Sequence, residues 1–290
     1  CRRRLSCGNL PIYIANRTVL AHCTMPHILN TFEDRPEHHN PISRPKELPR
    51  AVYVRVSDMP AGHHVATHSH DWNQLLYAIE GTMTVVTEAG MWIVPPQRAV
   101  WVPPHTQHAV GCTGFTRARH LYIGRDVATN LPDQCMVLEV SPLLRELIRA
   151  ATEIPIDYDE DGEEGRLIRV LLDQIKAPDQ DKLHLPAPKD ARLSRICDHL
   201  QGDPADNRTL DDWATICGAS SRTLARLFQR ETGMPFREWR QKLRLLYALE
   251  KLAHDRPVTE IALDLGYENP SAFIAMFRKA TGRTPGGYFR

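Results

Sequence analysis

Histidine residues at metal-ligand spacing are the first feature of this sequence that suggests chemistry. His68 and His70 lie one residue apart in the run GHHVATHSHDWNQLLYAIEG, which spans residues 62–81. Because side chains alternate along a strand, two histidines at this spacing would point to the same face. His108, from the later run PPHTQH, could approach from a facing strand and complete three imidazole ligands. Such a trio suits zinc, nickel, iron or copper and leaves coordination positions open.

The region that must position these histidines has the pattern of short strands. Runs such as AVYVRV, TMTVVTEAG and AVWVPP recur from residue 50 to about 125, with Gly and Pro between them. This pattern favours a small barrel or sandwich. Two amphipathic stretches, at 143–153 and 164–176, predict helices after the strands. The Pro-rich run PDQDKLHLPAPKD that follows is typical of a linker.

The last hundred residues are patterned as helices, and one unit occurs twice. It appears as LDDWATICGASSRTLARLFQRETG (210–233) and as VTEIALDLGYENPSAFIAMFRKATG (258–282). Each copy has an Ala four residues before a Gly, which lets two helices cross closely at a tight turn. We therefore predict two helix-turn-helix units joined by a long helix over about 236–253. Eighteen helical residues span about 27 Å, which can place two recognition helices near successive major grooves, ~34 Å apart.

Composition is that of a globular protein with no membrane partner. The chain has 290 residues, 42% hydrophobic and 24% charged, with no apolar run as long as the ~18 residues of a membrane span. Residues 189–290 carry 17 Lys and Arg against 13 Asp and Glu, whereas the rest carries 19 against 22. This basic excess is too mild to establish a nucleic-acid partner by itself. Seven cysteines without a Cys-x-x-Cys pair predict a reducing, cytoplasmic location.

These observations predict an α+β protein of two domains, a β-barrel followed by an all-α domain. The predicted segments are a disordered or non-native extension before Met25 (1–24), a barrel (25–140), a helical packing or dimerisation segment (141–178), a linker (179–189) and the paired helix-turn-helix domain (190–290).

Residues 190–290 resemble the DNA-binding domain of the AraC/XylS family of bacterial transcription regulators. The second unit carries that family's signature, AxxxGYxxxSxFxxxFRKxTGxTPxxYxR, at Ala262, Gly266-Tyr267, Ser271, Phe273, Phe277-Arg278-Lys279, Thr281-Gly282, Thr284-Pro285 and Tyr288. The resemblance implies a sequence-specific regulator with no catalytic residues, acting as a homodimer on double-stranded promoter DNA. RNA polymerase is a further partner that it implies.

The DNA contacts are expected on the second helix of each unit. Arg222 and Arg226 share one exposed face four residues apart, with Ser221, Ala225 and Gln229 beside them, so either Arg could bond guanine, contact phosphate or stay solvated. The second unit has fewer charged groups there, so we expect mainly backbone contacts and apolar contact with thymine methyls. Its predicted contact residues are Asn269, Ser271, Ile274, Ala275, Arg278 and Lys279.

The histidine stretch resembles the first cupin motif, Gly-x5-His-x-His-x3-Glu-x6-Gly. Gly62, His68, His70 and Gly81 match, but Gln74 stands in place of Glu, which removes the anionic ligand. The second motif matches loosely, because His105 replaces its Gly before His108. The candidate pocket therefore comprises His68, His70, Gln74, His108 and His105. No cofactor is certain: the pocket could hold a divalent transition metal, a small-molecule effector, or nothing.

Together these features predict a transcription regulator whose cupin-like domain senses a small molecule or metal. The alternative is a metal-dependent cupin enzyme fused to a DNA-binding module.

Overall fold

The computed structural model describes residues 47–127, 133–176 and 183–289. The predicted extension, residues 1–24, lies outside these ranges. Ten strands form the first domain and its linker: β1 (Val52–Met59), β2 (His64–His68), β3 (Asn73–Glu80), β4 (Met83–Thr87), β5 (Gly90–Val94), β6 (Arg98–Val102), β7 (His108–Gly111), β8 (Thr116–Ile123), β9 (Met136–Glu139) and β10 (His184–Pro186).

The strands pair in two antiparallel five-stranded sheets. The first sheet has the order β1-β8-β3-β6-β9, and the second has the order β10-β5-β4-β7-β2. Alternation along the strands gives each sheet two distinct faces. On β8, Ala118 belongs to the core between the sheets, whereas Leu121 and Ile123 belong to a separate core on the outer face of the first sheet.

Two helices cover this outer face. α1 (Pro142–Ala151) and α2 (Glu163–Gln174) place Leu144, Ile148, Ile168 and Leu171 in the outer core. The ends of both helices lie within two residues of the predicted limits, 143–153 and 164–176. Ser141 caps α1 by accepting a hydrogen bond from the Leu144 amide at 3.1 Å. Packing against the barrel is thus the role of one face of each helix.

The C-terminal domain consists of six α-helices in the described chain. They are α3 (Ala191–Gly202), α4 (Leu210–Cys217), α5 (Ser221–Thr232), α6 (Phe236–Leu252), α7 (Val258–Asp264) and α8 (Pro270–Thr281). α4–α5 and α7–α8 are the two helix-turn-helix units, and α6 joins them, as the repeat predicts. The fold class, α+β with two domains, is confirmed. No helix in the described ranges is long and apolar enough to cross a membrane.

A short strand ties the two domains together. β10 lies inside the stretch predicted as a linker, 179–189, and pairs with β5 of the barrel. Its Pro186 carbonyl accepts a 2.8 Å hydrogen bond from the indole N–H of Trp239, a fully buried residue of α6. The stretch therefore belongs to the second sheet and also anchors the helical domain. The other predicted segment limits stay predictions.

Candidate nucleic-acid interface and barrel pocket

Helix α5 has one face in the core and the opposite face in solvent. Leu224, Leu227 and Phe228 are buried at helical spacing. Arg222 and Arg226 are exposed on the other side, together with Ala225 and Gln229, while Ser221 is partly exposed. Ser220 caps the helix by accepting a hydrogen bond from the Thr223 amide at 3.1 Å. The five residues predicted to contact DNA on α5 thus lie on its accessible surface.

The two exposed arginines of α5 differ in their surroundings from most basic residues nearby. Neither Arg222 nor Arg226 forms an ion pair within the ranges that the structure describes. By contrast, Arg230 pairs with Glu231 at 2.8 Å. Arg192 pairs with Asp190 at 2.7 Å, and this hydrogen bond lowers the pKa of Asp190 to about 2. Arg222 and Arg226 therefore have donors available for an external partner.

Two of the predicted contact residues have local structural roles. The Gln229 side chain donates a 3.0 Å hydrogen bond to the Gly233 carbonyl, which closes the C-terminal turn of α5. The Asn269 side chain accepts a 2.9 Å hydrogen bond from the Ala272 amide and caps α8. Both remain exposed, but capping a helix explains their presence without any DNA contact.

The exposed face of α8 forms a shallow depression. Phe273 and Phe277 hold the helix in the core. The depression is lined by Ser271, Ile274, Ala275, Arg278 and Lys279, all of them predicted to contact DNA. Its floor is small and apolar, and its two charges lie in the last turn of the helix. Such a surface suits contact with phosphates and methyl groups better than base-specific hydrogen bonding.

The two units are fixed to each other through the loop that precedes α4. Arg244 of α6 is buried and donates to the Pro204 carbonyl at 2.8 Å and to the Asp206 carbonyl at 3.1 Å. Asn207 donates from its amide to the Gly266 carbonyl, in the turn of the second unit, at 3.1 Å. Gly266 has φ +73°, and a β-carbon there would overlap the Ala205 backbone. This loop therefore sets the spacing of the two recognition helices.

Inside the barrel, His68, His70 and His108 come together as the sequence predicts. The His108 ring centroid lies 4.2 Å from that of His68 and 5.1 Å from that of His70. His68 ends β2, but His70 lies in the loop beyond it, so strand alternation does not account for its position. His108 is fully buried and His70 nearly so.

Each of the three imidazoles is oriented by a nearby backbone carbonyl. The Nδ1 atoms lie 2.8 Å from Ala66 O, 2.7 Å from Trp72 O and 2.9 Å from Thr106 O for His68, His70 and His108 respectively. A carbonyl oxygen can only accept, so this contact places a proton on Nδ1 of each ring. The same arrangement orients histidines that bind metals.

Gln74 extends the cluster to a fourth imidazole. Its Oε1 atom lies 2.9 Å from His70 Nε2, and its Nε2 atom lies 3.4 Å from His120 Nδ1. Gln74 Oε1 thus accepts from His70 Nε2, while the Gln74 amide N–H donates to His120 Nδ1. Gln74 therefore contacts the nitrogen of His70 that a metal would need.

His105 lies outside this cluster, so its predicted place in the pocket is wrong. Its side chain is 62% exposed and its Nδ1 lies 3.3 Å from an Asp71 carboxylate oxygen. Within the described ranges, only His199, Asp203 and Asp206 bring three ligand atoms within 4.8 Å of one another. Arg208 already pairs with Asp206 in that second cluster. The barrel histidines are adjacent but spread wider than this.

Three aromatic members of the inner wall, Trp72, His120 and Tyr122, are not among the pocket residues predicted from the sequence. Trp72 stacks on His70 at 5.4 Å between ring centroids, and Tyr122 stacks on His120 at 6.4 Å. His120 and Tyr122 both occur in the run ARHLYIG, which lies within the region from residue 50 to about 125 where the sequence predicts short strands. Strand alternation in that run would have placed the two side chains on one face.

A polar contact joins the pocket strands to the helical domain. β7 begins at His108 and leads to Thr113, whose hydroxyl donates a hydrogen bond to a carboxylate oxygen of the buried Glu250 on α6. Burial raises the pKa of Glu250. Next to this contact, Gly114 lies against the ring of His254. A shift of β7 would therefore act directly on the helix that joins the two DNA-reading units.

Comparison with known proteins agrees with both halves of this arrangement. Residues 51–174 match the family model described as "AraC-like ligand binding domain", and residues 213–290 match a "Helix-turn-helix domain" model. The HTH-type transcriptional regulator NimR of Escherichia coli is 37% identical over 221 residues, which cover 76% of this chain and 81% of NimR.

Two further relatives match less of the chain or match it less well. The HTH-type transcriptional regulator RipA of Corynebacterium glutamicum is 37% identical over 119 residues, covering 41% of this chain and 34% of RipA. A crystal structure of ToxT from Vibrio cholerae covers 82% of this chain and 96% of its own, at 11% identity and a TM-score of 0.35. The NimR match spans both domains and identifies the family. This chain belongs to the AraC family of DNA-binding transcription regulators with a ligand-binding domain.

Proposed function

We propose that the protein reads promoter DNA mainly through Arg222 and Arg226 of α5. The observation that carries this proposal is that both guanidinium groups are exposed and lack an acidic partner in the described ranges. The buried face of α5 holds them in a fixed orientation. In a major groove, an arginine can donate two hydrogen bonds to guanine and discriminate against other bases by about 1–3 kcal/mol.

In this proposal the second unit binds DNA with little sequence preference. Arg278 and Lys279 are exposed in the last turn of α8, and the rest of its outer face is small or apolar. Contacts of this kind set the position and orientation of a protein on DNA. α6 spans about 25 Å at 1.5 Å per residue, which suits two helices that enter successive major grooves.

Substitutions on the two helices test this division of roles. Arg226→Ala should relax base preference by about 1–3 kcal/mol at one position of the bound site. Lys279→Ala should weaken binding to all sequences evenly and lower the salt slope by about 0.9. Arg230→Ala is the matched control, because Arg230 is exposed on α5 but already paired with Glu231. An equal loss of base preference from Arg226→Ala and Lys279→Ala would contradict the proposal.

We also propose that the barrel senses a small-molecule effector and reports its presence to the DNA-binding domain. The support is the cluster of buried polar rings around His70, Gln74 and His120. Burying polar groups costs stability compared with apolar ones, and polar groups that converge inside a barrel are typical of a ligand site. The contact between Thr113 and Glu250 offers a route from β7 to α6. Thr113→Val should therefore weaken the effect of the effector on DNA affinity while DNA binding itself persists.

A divalent transition metal is the second candidate for the pocket. Backbone carbonyls lie beside Nδ1 of His68, His70 and His108, and carbonyls in this position also orient histidines that bind metals. Gln74 opposes it, because its amide is neutral and contacts His70. Metal analysis of the purified protein decides: bound metal should disappear in His68→Ala and His70→Ala and persist in His105→Ala.

We propose further that the protein acts as a homodimer in the bacterial cytoplasm and contacts RNA polymerase at promoters. The outer faces of α1 and α2 support a dimer surface, since Leu143 is 53% and Val170 is 45% exposed there. Leu143→Glu with Val170→Glu should convert a dimer to a monomer in sedimentation experiments. A wild-type protein that stays monomeric at micromolar concentration would contradict this part of the proposal.

A further inference from the structure

We propose that the inner wall of the barrel binds a small planar carboxylate and that Arg55 is the residue that holds its charge. This inference rests on the proposed function, in which the barrel receives an effector. It goes beyond that role because it assigns the chemical class of the effector and a binding residue outside the histidine cluster.

Strand register places Arg55 on the inner wall. Arg55 of β1 lies directly opposite His120 of β8, and directly opposite residues of an antiparallel pair project from the same face. Met59, on the same face of β1 as Arg55, belongs to the core between the sheets. Val52 and Val54 alternate with it and belong to the outer core under α1 and α2. The guanidinium of Arg55 therefore enters the barrel beside His120.

The charge of Arg55 is not compensated within the ranges that the structure describes. Its Nη1 atom is buried and has no hydrogen-bond partner, and no carboxylate there forms a salt bridge with it. Arg117, on the outer side of β8, differs from Arg55 because it is half exposed and its charge is paired with the carboxylates of Asp58 and Glu80. A buried guanidinium donor without an acceptor is costly, so its position calls for an anion from outside the chain.

The rings around Arg55 favour a flat ligand. Tyr53 and Tyr122 stack at 5.8 Å with 19° between their planes, and Trp72 and His70 stack at 5.4 Å with 3° between theirs. The indole N–H of Trp72 is a second buried donor without a partner. Trp72 also packs edge-on against Tyr122, with 6.0 Å between the ring centroids. Aromatic faces bind planar groups, and buried N–H donors such as these two bind the oxygens of a carboxylate.

The charges on the inner wall favour a carboxylate over a metal ion. The inward-facing polar residues named so far are Arg55, Gln74 and the imidazoles, and none of them is acidic. A guanidinium on the same wall repels a dication and attracts an anion. A carboxylate also suits Arg better than a spherical anion does, because the planar guanidinium donates two parallel hydrogen bonds to it.

The test measures ligand binding by the full-length protein without DNA. Calorimetric titrations and melting curves would use benzoate, 4-hydroxybenzoate and nicotinate, each paired with its uncharged amide, and inorganic phosphate as a separate anion. We expect at least one carboxylate to bind and raise the melting temperature, whereas its amide does not. Arg55→Gln should weaken that binding by about ten- to a hundredfold, the worth of a charge-assisted hydrogen bond. Arg117→Gln is the matched control and should bind as the wild type does.

Several outcomes would overturn the inference. They are the absence of binding by every carboxylate, equal binding of the amides, equal or tighter binding of phosphate, or unchanged binding in Arg55→Gln. Arg55→Met provides a measurement without ligand. Removal of the buried Nη1 donor that lacks an acceptor should raise the urea midpoint of the unliganded protein, and a lowered midpoint would count against the inference. If the carboxylate binds through Arg55 but leaves DNA affinity unchanged, the binding site stands and the proposed sensory function fails.

Discussion

Gly266 and Gly218 occupy equivalent turns in the two helix-turn-helix units, and replacing each with Ala separates two physical effects. Both have left-handed backbones, with φ +73° at Gly266 and +62° at Gly218. A β-carbon at Gly218 would meet nothing within 4 Å, whereas one at Gly266 would lie 2.9 Å from Ala205 Cα and overlap its carbonyl oxygen. Gly218→Ala therefore measures the backbone cost alone, and Gly266→Ala adds the cost of close approach.

The expected costs follow from these surroundings. A left-handed Ala costs about 1–2 kcal/mol, reduced by about 0.4–1 kcal/mol because Ala restricts the unfolded chain. Gly218→Ala should therefore lower the free energy of unfolding by about 1 kcal/mol. Overpacking against a backbone adds about 1–3 kcal/mol, so Gly266→Ala should cost about 2–4 kcal/mol. Because Gly266 also accepts the hydrogen bond of Asn207, the loop that fixes the two units should move as well.

Two assays on the full-length protein measure these effects. Urea unfolding, followed by far-ultraviolet circular dichroism, gives the difference in the free energy of unfolding. Titration of a DNA duplex gives the DNA affinity; the duplex carries a binding sequence selected with the wild-type protein. Gly266→Ala should lose DNA affinity at temperatures where it is fully folded, whereas Gly218→Ala should keep it. Equal destabilisation by the two substitutions, or equal DNA affinity, would refute the reasoning that the Ala205 contact sets the spacing of the units.

Two further predictions concern the contact between the domains. Burial raises the pKa of Glu250, so the folded protein favours the protonated side chain. The stability that this protonated side chain contributes is fully present below the ordinary Glu pKa and is lost as the pH rises through the raised pKa. Glu250→Gln, which keeps the acceptor for Thr113, should therefore raise the urea midpoint at pH 8 and leave it unchanged at pH 4; equal effects at both would contradict this. Trp239→Phe loses the bond to Pro186 and leaves a cavity, so it should cost about 2–4 kcal/mol and speed hydrogen exchange of the Leu185 amide. Trp213→Phe, which loses no such hydrogen bond, should leave that exchange unchanged.

The helix-turn-helix units could be predicted because their physics is local. Helix caps, turn glycines and apolar residues three or four apart all lie within one unit, and the unit occurs twice. Thr209 and Asp212 form the reciprocal cap that starts α4, and Gly218 takes the left-handed conformation that ends it. These features set the orientation of α5, so the exposed positions of Arg222 and Arg226 followed from spacing.

The barrel pocket could be predicted only in part, because its members come from strands that pair over long distances. The resemblance to the cupin motifs predicted that His68, His70 and His108 lie close together. Nothing local shows that Arg55 faces His120, because that depends on the register of β1 with β8. His105 was misplaced for a similar reason. It takes a positive φ of 62° at a turn, which directs its side chain outward toward Asp71.

The strand that links the two domains could not be predicted from sequence patterns either. Residues 183–189 have the composition of a linker, yet β10 pairs with β5, which lies about ninety residues earlier in the chain. Its stability comes from tertiary contacts, such as the stacking of His184 on Trp92 at 4.3 Å between ring centroids and the bond from Trp239. Intrinsic strand propensity is too weak to reveal a strand of this kind.

The most direct test of the account is a guanine methylation-protection footprint of the full-length protein on its selected DNA. If α5 and α8 enter successive major grooves, two protected patches should appear on one face of the duplex, about 10 base pairs apart. Arg226→Ala should remove protection of a guanine in the α5 patch only. A single patch, or two patches on opposite faces, would contradict the claim that both units contact DNA together.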